Sequence, residues 1–213
     1  MNAENSTPEP IVVTAFSERF EHAFAELLGI EGGFVDDPVD RGGATKYGIS
    51  LRFLKAEGAI DDDLDGYADF DLDMDGDIDG ADIRKLTVGD AKSLYKRSFW
   101  QALECESFPR PIGEMLFDQG VNGGNHAAKK LLQQAINAVL RAGRYRTIPL
   151  KVDGQIGDLT RRSFQSMWER HPEQLVIEYR EAVKDRYVAI VRRNPSQAKF
   201  LKGWLNRAER LGR

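Results

Sequence analysis

The chain has 213 residues, of which 41% are hydrophobic and 30% charged, and its formal net charge at pH 7 is −4. This composition excludes a disordered chain, and charged residues interrupt every long apolar stretch, so stable membrane insertion is not expected. The single cysteine, Cys105, excludes an intramolecular disulfide, and three histidines without metal-ligand spacing argue against a zinc amidase or peptidase.

The charge is distributed unevenly along the chain. Residues 61–82 contain 11 Asp and no Lys or Arg, so the rest of the chain carries +7, while residues 141–213 contain 17 basic and 8 acidic residues. A basic body with one acidic insert suits an anionic polymer such as a cell wall, although basic residues also commonly solvate helix faces. No nucleic-acid partner is expected, because no phosphate-binding glycine loop or aromatic sheet motif is present.

The first predicted elements are a loose tail over residues 1–13 and an amphipathic helix that begins near Phe16. Phe16, Phe20 and Phe24 recur at helical spacing, and the helix is expected to end at Gly32-Gly33. Residues 34–50, which contain Pro38 and a glycine pair, predict a short irregular or β-hairpin segment.

Helical periodicity covers most of the remaining chain outside the acidic insert. The sequence therefore predicts a mainly α protein with a small β-hairpin after the first helix and one inserted loop. The further helices are expected over residues 51–57, 81–86, 87–100, 112–121, 126–142, 159–170, 173–193 and 196–211.

The segment E31-G-G-F-V-D-D-P-V-D40-R-G-G-A-T45-K-Y-G-I-S carries a candidate catalytic site. Glu31 follows an amphipathic helix, where partial burial can keep a carboxyl protonated for glycoside hydrolysis. Asp40 and Thr45 could hold a water opposite that acid, or Asp40 could stabilise the oxocarbenium-like state. On spacing alone, Glu31 and Asp40 are also compatible with a helix-end carboxylate and a turn residue.

This segment resembles the signature of the glycoside hydrolase family 108 muramidases, which are lysozyme-like phage endolysins and secretion-associated hydrolases. The resemblance implies an α+β lysozyme-like fold and the catalytic set Glu31, Asp40 and Thr45. In phage-type lysozymes the spacing from Asp to Thr is one residue longer than here. The resemblance extends over residues 16–207 apart from the insert, through T87–W100, F117–G124, V152–T160 and F200–R207.

The resemblance also implies the substrate, which is the β-1,4 bond between N-acetylmuramic acid and N-acetylglucosamine of bacterial peptidoglycan. Residues 14–213 are then a single catalytic domain, with an insert at 59–84 and a peptidoglycan-binding part at 110–213. The cleft is expected to include the substrate-binding residues Tyr47, Gln119 and Asn122. The three tryptophans could stack on sugar rings, but their helical spacing favours a core position: Trp100, Trp168 and Trp204.

The acidic insert contains a loop that matches the EF-hand calcium pattern. Asp occupies positions one, three and five, Gly76 position six and Ile78 position eight, which is the ligand spacing that Ca²⁺ uses. Asp also occupies positions seven, nine and twelve of the loop. The Asp at position twelve is shorter than the Glu that usually stands there. The predicted calcium ligands are Asp71, Asp73, Asp75, Asp77, Asp79 and Asp82, with a helix following the loop but no full entering helix.

The same D-x-D-x-D-G pattern begins ten residues upstream and predicts a weaker second calcium site. Leu72 stands where its last ligand is expected. The ligands of this second site would be Asp61, Asp63, Asp65 and Asp69. A solvated acidic loop is the alternative for the whole insert, but its charges would repel one another strongly without a cation.

Two other functions compete with the muramidase reading. A cysteine peptidase or amidase would use Cys105 and His126, although Glu104 and Glu106 beside the cysteine disfavour a thiolate. A non-catalytic, calcium-dependent wall-binding module would leave the catalytic set unused. The N-terminal residues show no signal peptide, so cytoplasmic synthesis is expected, with action on the periplasmic wall after release or export. The protein is also expected to be a monomer.

Overall fold

A computed structural model of the chain describes residues 16–29, 43–62 and 64–213, and these residues are mainly helical. A short antiparallel sheet pairs β1 (Thr45–Lys46) with β2 (Ile49–Ser50). The helices are α1 (Glu18–Leu28), α2 (Leu51–Glu57), α3 (Gly80–Lys85), α4 (Val88–Tyr95), α5 (Ile112–Gly123), α6 (Asn125–Ala142), α7 (Asp158–Arg170), α8 (Pro172–Arg193) and α9 (Ala198–Arg210). The predicted mainly α fold with a small hairpin after the first helix is confirmed.

Aromatic side chains hold the first part of the fold together. Ser17 caps α1 by accepting a hydrogen bond from the Phe20 backbone N–H, and the apolar face of the helix then turns inward. The Phe20 ring lies 5.6 Å from Trp100 and 5.8 Å from Phe117 in edge-on geometry. These contacts join α1 to α5 and to a π-helical segment, Lys96–Gln101, that continues α4.

Long helices form the second part of the fold. α6 packs against α5 and α8, and α8 packs in turn against α9. Tyr179 of α8 is fully buried, with its hydroxyl 3.5 Å from the backbone oxygens of Met115 and Ala128. No helix in the described part of the chain is long and apolar enough to cross a membrane.

The three tryptophans differ in how far they enter the core. Trp100 is in the core with 2% of its surface exposed. Trp168 is half-buried and stacks on Phe164 at 6.0 Å, and Trp204 lies 5.4 Å from Tyr187. The core reading is confirmed for Trp100, while the other two lie at the edge of the core.

We expect Gly113→Ala to destabilise the protein by about 2 kcal/mol. Alanine favours a helix by about 1 kcal/mol over glycine, but a Cβ here would collide with the Cys105 carbonyl and the Arg19 guanidinium. Gly203→Ala in α9 is the matched control, because its Cβ meets nothing within 4 Å and should stabilise by about 0.5–1 kcal/mol. Urea unfolding measures the change in stability that each variant causes. If Gly113→Ala and Gly203→Ala were equally stable, that result would contradict the close approach of Cys105 to Gly113.

A second prediction concerns the partly buried ion pair between α1 and α5. Arg19 donates to both carboxylate oxygens of Glu114, at 2.7 and 2.8 Å, and to the Phe108 carbonyl at 2.8 Å. Burial alone would raise the pKa of Glu114, but the Arg19 hydrogen bonds and charge outweigh it and lower that pKa. The ion pair therefore stabilises the fold fully at pH values above the ordinary glutamate pKa. This stabilisation is lost as the pH falls through the lowered pKa of Glu114.

Glu114→Gln should accordingly lower the free energy of unfolding by about 3 kcal/mol at pH 7, with a smaller difference below about pH 4. Thermal unfolding across pH measures this. Glu181→Gln, which breaks an exposed pair with Lys184, is the control and should cost under about 1 kcal/mol. A pH-independent effect of Glu114→Gln would show that charge pairing is not its cause.

Candidate active site and metal centre

Of the three predicted catalytic residues, the structure describes Thr45. Glu31 and Asp40 fall outside the described residues, while Thr45 is in β1 and is half-buried. Its hydroxyl donates a 3.3 Å hydrogen bond to the Gly43 carbonyl. The role of Glu31, Asp40 and Thr45 stays a prediction, with Thr45 on an ordered strand.

The hairpin turn is shaped by two residues with positive φ. Tyr47 has φ 52° and Gly48 φ 76°, the combination that a two-residue hairpin turn of the right twist requires. Tyr95 donates a 3.4 Å hydrogen bond to the Tyr47 carbonyl, and a Cβ on Gly48 would collide with its hydroxyl oxygen. Because Ile49 is also fully buried, the hairpin is fixed to the core, and half-buried Tyr47 sits at its tip.

The hairpin is also tied to the acidic insert. Lys46 donates a 2.6 Å hydrogen bond from Nζ to the backbone carbonyl of Arg84 in α3. Sequence patterns did not indicate this link, since it joins residues 38 positions apart and one partner is a backbone group. The insert and the candidate catalytic hairpin are therefore in direct contact.

The two predicted sugar-binding residues of α5 differ in exposure. Gln119 is fully buried, where its amide donates to Asp118 at 2.8 Å and to the Tyr187 hydroxyl at 3.3 Å. Asn122 is exposed and donates to the Asp118 carbonyl at 2.7 Å. Asn122 can therefore reach a ligand directly, whereas Gln119 would need a rearrangement, and both roles stay predictions.

Three carboxylates of the predicted calcium loop converge. Asp71, Asp73 and Asp82 each offer an oxygen, and these oxygens lie within 4.8 Å of one another. Asp82 is fully buried and accepts hydrogen bonds from the backbone N–H groups of Leu72 at 2.7 Å and Asp79 at 2.6 Å. Backbone hydrogen bonds thus fix the orientation of its carboxylate.

The remaining predicted ligands are arranged around this centre but are not part of the converging group. Asp75, Asp77 and Asp79 are exposed. Asp75 accepts from the Asp77 N–H at 3.1 Å, and Asp79 caps α3. The turn at Gly76 has φ 99°, which favours glycine, as the EF-hand pattern requires. Turns precede the loop and α3 follows it, as predicted.

The chemistry of the cluster fits a hard cation. The Asp73 Oδ1 atom is buried and has no hydrogen-bond partner, so a lone pair is left unsatisfied. Burial, with the charges of Asp75, Asp82 and Asp71, raises the pKa of Asp73, and only Lys85 opposes this, 3.6 Å from Oδ2. A cation at the three carboxylates would satisfy the free oxygen and relieve the repulsion, so these residues could hold a metal.

The upstream loop copies the first half of this geometry. Asp61 accepts from the N–H groups of Asp65 at 3.2 Å and Gly66 at 3.1 Å, as Asp71 does from Asp75 and Gly76. The upstream loop differs from the calcium loop at its end, because there Asp69 and Asp62 lie 3.4 and 3.6 Å from the Arg97 guanidinium. Asp63 lies outside the described residues. The second calcium site stays a prediction, with Arg97 already supplying positive charge there.

The thiol at Cys105 is unsuited to nucleophilic chemistry. Cys105 is fully buried, and this burial raises the pKa of the thiol well above its usual range. His126 lies against Gly154, in the loop before α7. A protonated, inaccessible thiol argues against the cysteine peptidase or amidase alternative.

Comparisons with known proteins agree with this arrangement. Residues 24–124 match the family model of glycosyl hydrolase 108, and residues 127–209 match that of a predicted peptidoglycan domain. A comparison with curated proteins gives no match. Among solved structures, the chain is similar to SagA of Brucella abortus, with 24% sequence identity, 91% coverage of each chain and a TM-score of 0.64, which shows a shared fold. The chain therefore combines a glycosyl hydrolase 108 region, residues 24–124, with a predicted peptidoglycan domain, residues 127–209, and is a peptidoglycan hydrolase.

Proposed function

We propose that the protein is an N-acetylmuramidase that hydrolyses the β-1,4 bond between N-acetylmuramic acid and N-acetylglucosamine. The observation that carries this proposal is the E31–S50 segment, which lies inside the region that matches glycosyl hydrolase 108. Glu31 is the general acid that protonates the leaving glycosidic oxygen. Asp40 and Thr45 position the attacking water, or Asp40 stabilises the positive charge on the sugar.

We further propose that the bound metal is calcium and that it stabilises the insert. All the candidate ligands are oxygens in an EF-hand-like order, which suits Ca²⁺ rather than zinc or copper. The ion would be held by Asp71, Asp73 and Asp82, and it supplies charge neutralisation. Through the Lys46–Arg84 hydrogen bond, an ordered insert supports the hairpin that carries Thr45. Calcium outside the cytosol would then favour the active form where the wall is.

The test of bond specificity is a digest of purified peptidoglycan followed by borohydride reduction of the new reducing ends. A muramidase yields reduced muramic acid, whereas cleavage of the other glycosidic bond yields reduced glucosamine. The proposal predicts reduced muramic acid as the main product, at a rate that falls when a chelator is added. Binding to peptidoglycan without any new reducing end would instead support the non-catalytic wall-binding module.

A further inference from the structure

A basic cavity lies in the second half of the chain, away from the hairpin and the insert. It measures about 290 Å³ and opens between the end of α6, the loop that follows it, and α7. Buried Leu140 and Met167 contribute apolar surface to it. Its polar wall consists of Tyr145, Arg146, Thr147, Arg162, Ser166 and Arg170.

The arginines of this cavity have no acidic partners within the part of the chain that the structure describes. No residue lining the cavity is acidic, and Arg146, Arg162 and Arg170 form no ion pair with any carboxylate among the described residues. The segment 141–152 also contains four basic residues and no Asp or Glu. Elsewhere in the described chain, arginines such as Arg19, Arg97 and Arg207 are paired with carboxylates. The cavity therefore presents uncompensated positive charge around a small concave space.

The loop that forms one wall is held in a specific shape. The Tyr145 ring packs so closely on Gly143 that a Cβ there would collide with it, and the Tyr145 hydroxyl is 2.6 Å from His171 Nε2. The Arg170 guanidinium lies 6.0 Å from the centre of the same ring. Arg144 adopts φ 53° at the end of α6, where glycine is favoured, and such strained positions are enriched at binding sites.

We propose that this cavity binds the free carboxylates of the short peptides of peptidoglycan. Guanidinium groups match carboxylates in a two-pronged geometry. Where a peptide is attached, the lactyl carboxyl of N-acetylmuramic acid is an uncharged amide, so the peptides are the anionic part of this polymer. The cavity lies within residues 127–209, the region that matches a predicted peptidoglycan domain. This inference rests on peptidoglycan as the substrate and adds which part of it the second half of the chain recognises.

The test is calorimetric titration of the full-length protein with the L-Ala-D-Glu-meso-diaminopimelate-D-Ala tetrapeptide. The comparison ligands are the same peptide with all its carboxylates amidated and inorganic phosphate. The double variant Arg146→Ala, Arg162→Ala removes two cavity guanidiniums. The matched control is Arg192→Ala, Arg193→Ala, which removes the same charge about 30 Å away, at the far end of α8.

We expect the cavity variant to bind the tetrapeptide at least tenfold more weakly than wild type, with no change in the control. The amidated peptide should bind wild type at least tenfold more weakly than the free acid. Unchanged binding by the cavity variant, or equal binding of the amidated peptide, overturns the proposal. Phosphate binding as tightly as the peptide also overturns it, in favour of a general anion site.

Failure of this inference is distinguishable from failure of the proposed muramidase activity. Peptide-free glycan strands contain the scissile bond but no peptide carboxylates. The cavity variant should therefore release reducing ends from these strands at the wild-type rate while losing affinity for the tetrapeptide. If wild type does not cleave the strands, the muramidase proposal fails whatever the tetrapeptide titration shows.

Discussion

Glu31→Gln is expected to lower the rate of peptidoglycan hydrolysis about a thousandfold, because general acid catalysis contributes roughly 10²–10⁴ to such rates. Glutamine keeps the shape of the side chain but has no proton of suitable acidity for the leaving oxygen. Binding of the polymer should be retained. The measurement is release of new reducing ends from purified peptidoglycan at matched protein concentrations, with thermal unfolding to confirm that the variant is folded.

The control for this substitution is Glu26→Gln, which makes the same chemical change five residues earlier in the chain. Glu26 is exposed on α1, where it pairs only loosely with His22 at 3.7 Å, so hydrolysis should be unchanged. A Glu31→Gln variant that hydrolyses the wall as fast as wild type would remove Glu31 from the mechanism. If wild type is itself inactive but binds the wall, the binding-module reading gains support.

The elements that could be predicted from sequence are those determined by neighbouring residues. The apolar spacing of α1 and α6 depends on local periodicity, and α6 agrees closely with its predicted bounds. The prediction for the end of α1 was wrong, because this helix ends at Leu28 and not at Gly32-Gly33. The convergence of Asp71, Asp73 and Asp82 follows from the loop spacing, because a turn at Gly76 brings the first and last ligands together. Local patterns therefore predicted the fold class and the proximity of these three carboxylates.

The features that could not be predicted depend on partners distant in sequence. Gln119 is buried because Tyr187, 68 residues later, packs over it, and no pattern around Gln119 indicates this. Arg97 neutralises the upstream acidic loop from 28 residues beyond Asp69. The basic cavity likewise combines arginines from a loop and from α7 that sequence analysis treats as separate. Tertiary packing decides these positions, and local spacing does not encode it.

Calcium is expected to raise the melting temperature of the wild-type protein by roughly 5–10 °C. A ligand at about a hundred times its Kd stabilises the folded state by about 2.7 kcal/mol, and a chain of this size gains about 2–4 °C per kcal/mol. The physical reason is relief of repulsion among the clustered carboxylates and satisfaction of the free Asp73 oxygen. Thermal unfolding in calcium and in chelator measures the shift, and magnesium tests the selectivity of the site.

Asp73→Asn separates a calcium site from a merely acidic loop, because the two readings predict different responses to the metal. Burial and neighbouring carboxylates raise the pKa of Asp73, so its ionised form opposes folding at neutral pH in the absence of a cation. The variant should therefore be at least as stable as wild type in chelator, yet lose part of the calcium-induced rise, because the amide oxygen of Asn is a neutral and weaker calcium ligand. Activity should lose its calcium dependence in parallel if the Lys46–Arg84 contact transmits the order of the insert to the hairpin.

Asp77→Asn provides the matched control for the same loop, since it removes the same charge from position seven, where an EF-hand ligand is the backbone carbonyl. The Asp77 side chain is exposed and lies outside the converging group, so its calcium response should remain close to that of wild type. Equal losses in Asp73→Asn and Asp77→Asn would mean that calcium only screens a diffuse negative charge. A loss in the first and none in the second requires a site with defined ligands, because both variants remove one negative charge from the same loop.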